Sequence, residues 1–390
     1  MTESKMSRRN YLKYAGTGIV GLAVGAGVGY YGGLSAKPAP TTTAAQTVTQ
    51  TVAQTVTQAA STAALPNPFT IATVNAGPAG TQWGSAMLRG MPVADQALAQ
   101  VFPDMKTKWL SAWSVAPTDK PSIYAGFISQ GANMIWDSDF TQTLDKPLIE
   151  ANPNVIFVES SYSLAGTPNA GAYEWDAHIG AFLEGIIGAA ITKTKKIGTV
   201  HPFNDIYDGL IFNCFEQGAK LIDPSVGCYY VFTGDYHDVS LGEKAATALA
   251  AFGVDFIAGQ GNGMTTGAIK GAQAAHVYAM GVYSDQQSVA PDTVVSSTLW
   301  NAGKFLTDCL TMIWKGYWPK FYAPGNPDFL PHPHFRYFLK DNSVGLAPFN
   351  PAIPVPPIVN QTIDKARADN TAGTFQLTTD TTFPPSQQVS

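Results

Sequence analysis

Apolar and polar positions follow three regimes along the 390-residue chain. From Tyr14 to Ala36 no charged residue occurs, a run longer than the roughly 20 residues that cross a bilayer. Residues 35–68 are rich in Thr, Ala and Gln and carry one charge, Lys37. From residue 69 onward, short continuous apolar runs alternate with amphipathic stretches of helical period. That alternation predicts strands buried on both faces and separated by helices.

In the third regime, strands are expected at 69–74, 107–113, 134–136 and 155–159, with helices over 82–100, 121–130 and 141–151. A second series follows: helix 177–192, strand 196–200, helix 206–222, strand 226–232, helix 241–252, strand 255–258, helix 265–275 and strand 277–282. A strand at 293–297, a helix at 302–314 and a Pro-rich tail come last. The two series predict an α/β protein of two doubly wound, Rossmann-like lobes with a hinge. Lobe 1 is expected over 69–172, completed by 283–312, and lobe 2 over 173–282, completed by 313–390. Ligands of open α/β sheets bind beyond the carboxyl ends of the strands, so the cleft between lobes is the expected site.

The segment ahead of the uncharged run, Ser7-Arg8-Arg9-Asn10-Tyr11-Leu12-Lys13, reads as a twin-arginine export signal. Residues 1–34 are therefore expected to be a cleaved signal or a retained membrane anchor. The first cysteine is Cys214, which rules out lipidation of a cysteine near that segment. Residues 35–68, with Gln46, Gln50 and Gln54 marking a four-residue repeat, read as a flexible stalk. Such a coil would hold the folded part about 30 Å from a membrane. An extracytoplasmic domain, tethered or secreted, is the expectation.

Composition narrows the chemistry. Only 13% of residues are charged and the net charge is −5, which argues against a nucleic-acid surface. Three cysteines make no disulfide framework; Cys214 and Cys228 either pair or stay as buried thiols. His332-Pro333-His334 has no Cys or acidic partner at ligand spacing, so no metal is expected. Asp235, His237 and Asp238 have no triad partner, and neither a nucleophile elbow nor H-E-x-x-H occurs. No enzymatic activity and no cofactor are expected. Gly261-x-Gly263-x-x-x-Gly267 is neither G-x-G-x-x-G nor a P-loop, and its expected use is close backbone approach to a ligand.

The residues following the strands are unusually aromatic and acidic: Trp83, Asp137, Phe140, Tyr236, Tyr283, Asp285 and Trp300. Flat rings with carboxylates suit a planar heterocycle bearing N–H donors. Stacking contributes about 1–3 kcal/mol per ring, and a hydrogen bond to a charged group about 1.5–3 kcal/mol. Competing readings exist for each residue. An aromatic after a strand often plugs a core, Asp238 suits the N-cap of the helix after it, and Asp285 suits a turn.

Ordered motifs between Tyr173 and Trp300 carry a resemblance: Gly180-Ala-Phe-Leu-Glu-Gly185, Thr192-Lys-Thr-Lys-Lys-Ile-Gly198, Phe215-Glu-Gln-Gly-Ala-Lys220, Asp223-Pro224, Asp238 with Gly242-Glu243, Gly253-Val-Asp255, Gly281-Val-Tyr-Ser-Asp-Gln286 and Ser296-Ser297. Together with Trp83 opening the first helix, the chain resembles the basic membrane protein family of ABC-transporter solute-binding proteins. The resemblance implies a bilobal receptor of the type I periplasmic-binding-protein fold, a monomer that hands its ligand to an ABC permease. Nucleoside-binding members stack the base between two aromatics, a role that falls here to Trp83 and Tyr236. Their ribose-gripping Asp and Lys correspond here to Tyr283 and Trp300. Losing that clamp implies a free purine base in preference to a nucleoside, and Trp300 is similar to what adenine-type members carry. Trp83, Tyr236 and Phe140 are then expected to stack, Asp137 or Asp285 to accept ligand N–H bonds, and Gly261 and Gly263 to allow backbone contact. The alternatives are a nucleoside receptor, a secreted nucleoside-processing enzyme and a sensory ectodomain.

Overall fold

Two six-stranded sheets carry the fold, each covered by helices on both faces. The computed structural model describes residues 65–137, 142–159, 169–173, 176–316, 334–335 and 337–389. The chain divides into two units, Met1–Leu65 and Pro66–Ser390, and both sheets belong to the second. The expected export segment and nearly all of the stalk lie outside the described residues. Among the described residues no helix is long and apolar enough to cross a membrane.

Along the chain the first series is β1 (Phe69–Val74), α1 (Gln82–Val101), β2 (Thr107–Ala112), α2 (Lys120–Ser129), β3 (Met134–Asp137), α3 (Gln142–Ala151), β4 (Ile156–Glu159) and β5 (Ala170–Tyr173). The second is α4 (Ala177–Ile191), β6 (Lys196–His201), α5 (Ile206–Ile222), β7 (Gly227–Phe232), α6 (Val239–Ala251), β8 (Phe256–Gly259), α7 (Gly263–Ala274), β9 (Tyr278–Tyr283) and β10 (Val294–Trp300). Then come α8 (Ala302–Trp314), β11 (His334–Phe335), β12 (Val344–Leu346) and α9 (Ile358–Ala372). The first sheet runs β11-β5-β4-β3-β1-β2, and the second β12-β10-β9-β8-β6-β7. All pairings are parallel except β12 against β10. The carboxyl ends of each sheet therefore sit on one edge, where ligands of such sheets bind.

β10 belongs to the second sheet, although it falls in the stretch expected to complete the first lobe. The apolar run after β9 pairs in register with it, from Val294 opposite Ala279 to Leu299 opposite Tyr283. Only afterwards does the chain cross: α8 packs on α1, so close that a Cβ at Gly90 would meet the Ala302 side chain at 2.5 Å. The chain thus passes between the lobes after Tyr173, after Trp300 and again between β11 and β12. β5, with the sequence Ala-Gly-Ala-Tyr, lacks the β-branched apolar run that signals a strand and went unforeseen.

Burial explains the order of the layers. α4 is buried on nearly every side, with Phe182, Leu183, Ile186 and Ile187 fully enclosed. Each such side chain contributes roughly 1.5–3 kcal/mol. Separate cores lie under α2 and α3 in the first lobe and between α6, α7 and the second sheet. A third, larger core is continuous through both lobes, from Phe69 and Trp136 to Phe182 and Val359. Residues after α9 run as a strap over α5 and the edge strand β7. Asn213 Nδ2 donates to the carbonyls of Asp380 and Thr382, and the Val389 N–H donates to the Tyr230 carbonyl. This covers an edge otherwise open to pairing with other chains. Cys214, Cys228 and Cys309 are buried free thiols, so the pairing alternative for the first two does not hold.

Candidate functional site

Three rings from two lobes meet where the sheet edges face each other. Trp83 lies in the first turn of α1, whose N-cap Thr81 accepts the Gly84 N–H. Trp300 ends β10 and Tyr283 ends β9. The Trp83 and Trp300 rings stack with centroids 4.5 Å apart and 22° between planes; Tyr283 meets Trp83 edge-on at 5.2 Å. Tyr173 also lies near-parallel to Trp300, at 6.3 Å and 26°, and Trp136 and Phe305 extend the aromatic cluster into the first lobe. Trp300 is thus a second-lobe side chain seated among first-lobe rings.

The backbone at Tyr283 is strained to achieve this. Its φ is +62°, and the Ser284 N–H donates to the Val282 carbonyl at 2.7 Å, closing a three-residue turn. Left-handed conformations of non-glycine residues cost on the order of 1–3 kcal/mol and concentrate at functional sites. The Tyr283 carbonyl, turned outward, accepts from Arg89 Nη2 of α1 at 2.7 Å. Two further bonds tie α1 to the second lobe: Gln82 Nε2 donates to Thr266 Oγ1 at 2.8 Å, and the Trp83 N–H donates to Asn262 Oδ1 at 3.2 Å. The lobes are closed.

Beside the rings, Asp176, Gln260 and Thr298 border a residual cavity of about 10 Å³, room for about one water molecule. Trp83, Tyr283 and Trp300 form its aromatic wall, and Gly180 of α4 lets Thr298 approach. All three polar residues are buried. Below them Glu184, fully enclosed, accepts from Gln260 Nε2 at 2.8 Å and from Thr298 Oγ1 at 3.1 Å. Burial pushes the Glu184 carboxyl up to about 8, and the two hydrogen bonds only partly offset it. Burial also raises the Tyr283 hydroxyl, followed by the negative charges of Asp208 and Glu184. The Tyr207 hydroxyl is raised by burial and then by Tyr283, Tyr236, Asp176 and Asp208, which marks these groups as electrostatic neighbours.

The other expected site residues are placed differently. Asp137 forms a buried ion pair with Lys120 at 2.6 Å and accepts from the Tyr124 hydroxyl, so its carboxylate balances a buried cation; it does not line the cavity. Asp285 is exposed and accepts the Gln287 N–H at 3.0 Å, which makes it a turn cap in place of a ligand acceptor. Tyr236 is half-buried, packs edge-on against Phe203 at 5.6 Å and does not wall the cavity. Gly261 donates its N–H to Thr265 Oγ1 at 3.0 Å, inside its own lobe. Gly263 is required for packing: a Cβ there would sit 1.9 Å from the His237 carbonyl, as one at Gly267 would from that of Val239. The Gly-rich segment is a helix seam between α6 and α7, and the close approach is to protein backbone. Phe140 lies outside the described residues, as do His332 and Pro333. Asp238 is the N-cap of α6, accepting the Leu241 N–H at 3.0 Å. Among the described residues no group of three or more His, Cys, Asp or Glu could hold a metal ion.

Sequence reasoning finds Asp176 and Gln260 only as residues at strand ends, without assigning them a ligand role, and misses Glu184. Glu184 carried one signal, a lone carboxylate in an otherwise apolar helix.

A family model described as PnrA-like ABC transporter substrate-binding protein matches residues 96–320. Among curated relatives, basic membrane protein A of Borreliella afzelii is 31% identical over 194 residues, covering 46% of this chain and 58% of that protein. A purine-binding protein of Brucella abortus is 28% identical over 169 residues, covering 43% of this chain and 47% of that protein. The chain therefore spans less than two thirds of the length of either. A solute-binding protein of an ABC transporter system from Conexibacter woesei superposes with a TM-score of 0.63 at 16% identity, covering 80% of this chain and 99% of that one. AraP, an arabinose-binding protein from Geobacillus stearothermophilus, superposes with a TM-score of 0.55 at 13% identity, covering 72% and 97%. These likenesses show the type I periplasmic-binding-protein fold.

Proposed function

The chain belongs to the Bmp family of PnrA-like ABC transporter substrate-binding proteins, and from that premise we propose that it is an extracytoplasmic receptor closing its lobes on a purine base or similar flat heterocycle. The observation that carries this reading is the stack of Trp83 on Trp300 across the cleft, bordered by Asp176, Gln260 and Thr298. The rings supply faces for a planar ligand and the polar residues supply an edge. With the indoles in mutual contact, a ring enters only if they part by about 3.5 Å, one stacking thickness. Closure is then a population shift set by the ligand's greater affinity for the closed state.

A free base fits better than a nucleoside. Tyr283 and Trp300 stand at the positions where the resemblance places the ribose-gripping Asp and Lys, and both are buried apolar walls. The ligand leaves unchanged, as the substrate-binding character of the family implies; delivery is to an ABC permease, with the protein acting as a monomer, tethered or released. The purine-binding relative supports the ligand class. Isothermal titration calorimetry of the full chain with free purines, nucleosides, sugars and amino acids tests the reading. Micromolar binding of a free base is expected; a response confined to sugars or amino acids overturns it.

A further inference from the structure

The polar side of the cavity has one chemical character. A Gln amide carries two N–H donors on one side and an acceptor oxygen on the other, and Gln260 Nε2 donates to Glu184, which fixes the amide's orientation. That leaves its carbonyl oxygen for anything in the cavity. The Thr298 hydroxyl donates its only hydrogen to the same carboxyl oxygen, leaving lone pairs. Asp176, 1% exposed, adds a carboxylate. Gln260, Thr298 and Asp176 thus each bring an acceptor oxygen to the border of the cavity.

Glu184 organises this arrangement from beneath. It sits on a helix whose other inward positions are apolar, where an unneeded carboxyl is costly. Its Oε1 takes both hydrogen bonds, and Oε2 is buried with no hydrogen-bond partner among the described residues. The raised carboxyl pKa, with Gln260 and Thr298 as its hydrogen-bond partners among the described residues, fits a neutral acid whose task is to hold its neighbours.

We propose that Glu184 is a positioning residue that fixes the Gln260 amide with its oxygen toward the pocket, so that the site selects a purine-type ring with N–H donors on its edge. The inference rests on the base-binding reading above. The direct test compares adenine with 6-methylpurine, which replaces the donating amino group by a methyl of similar size, by calorimetry on the full chain. Wild type is expected to prefer adenine at least tenfold. Glu184→Leu, which frees Gln260 to rotate, is expected to reduce that ratio to within threefold, through a larger loss of affinity for adenine than for 6-methylpurine. Glu184→Gln keeps an acceptor for Gln260 Nε2 and is expected to restore the preference. Gln260→Met removes the acceptor without touching Glu184 and is expected to reproduce the loss if the Leu variant fails to fold.

A folded Glu184→Leu or Gln260→Met protein that keeps the wild-type ratio overturns the positioning role while leaving base binding intact. Wild type that binds purines without preferring adenine also overturns it. Wild type that binds neither purine at millimolar concentration overturns the base-binding reading and this inference with it.

Discussion

Trp83 and Trp300 stack at 4.5 Å although one opens the first helix of one lobe and the other ends the last parallel strand of the second. Each covers the face that the proposed ligand would use, so the closed form is held by the same surfaces that recognise. Replacing Trp83 by Ala removes one platform. Stacking of about 1–3 kcal/mol corresponds to a roughly 5- to 150-fold loss of base affinity. Calorimetry checks the loss, and circular dichroism checks that the fold persists.

Closure also depends on hydrogen bonds between α1 and the second lobe. Gln82→Ala with Asn262→Ala removes the side chains that bond Thr266 and the Trp83 N–H. Each bond is worth about 0.5–1.5 kcal/mol net. The double variant is expected to bind roughly tenfold more weakly and to show a larger radius of gyration without ligand in small-angle scattering. Unaltered scattering and affinity would mean these bonds do not govern closure.

Asp137 and Asp285 should separate cleanly. Asp137→Ala removes one partner of a fully buried ion pair with Lys120, a change that typically costs about 3–5 kcal/mol. Asp285→Ala loses only an exposed turn bond. Chemical denaturation is expected to show a large loss for the first and less than about 1 kcal/mol for the second, with base affinity unaffected by Asp285→Ala.

Glu184 gives stability a pH dependence of definite sign. Its carboxyl is raised from 4.5 to about 8 on folding, so the folded chain holds a proton that the unfolded chain releases. The stabilisation is complete below pH 4.5, falls as pH rises toward about 8, and is then exhausted. The slope from this group is at most about 1.4 kcal/mol per pH unit. Subtracting the Glu184→Gln profile from wild type isolates it, because the raised Asp208 contributes to both. A difference that does not change between pH 5 and 8 contradicts a buried protonated acid.

The βα alternation was legible because strands buried on both faces are continuous apolar runs, and their spacing separates them from amphipathic helices. Trp83, Tyr283 and Trp300 could be placed near one another because they follow strands of parallel sheets. Partnership was not legible. Nothing local to Asp137 shows that Lys120, 17 positions earlier, is buried against it. Nothing local to Gly263 shows that the carbonyl it must admit belongs to His237. Glu184, Gln260 and Thr298 come from α4, the loop after β8 and β10, and only the fold brings them together.

The most direct measurement is near-ultraviolet circular dichroism of the full chain titrated with adenine, alongside Trp83→Phe as the reference for the indole pair. Stacked Trp83 and Trp300 should give a coupled signal in the free protein that disappears as the base separates the rings, saturating with the calorimetric binding curve. Saturable binding of adenine that leaves the coupled signal intact would place the ligand elsewhere and contradict the account.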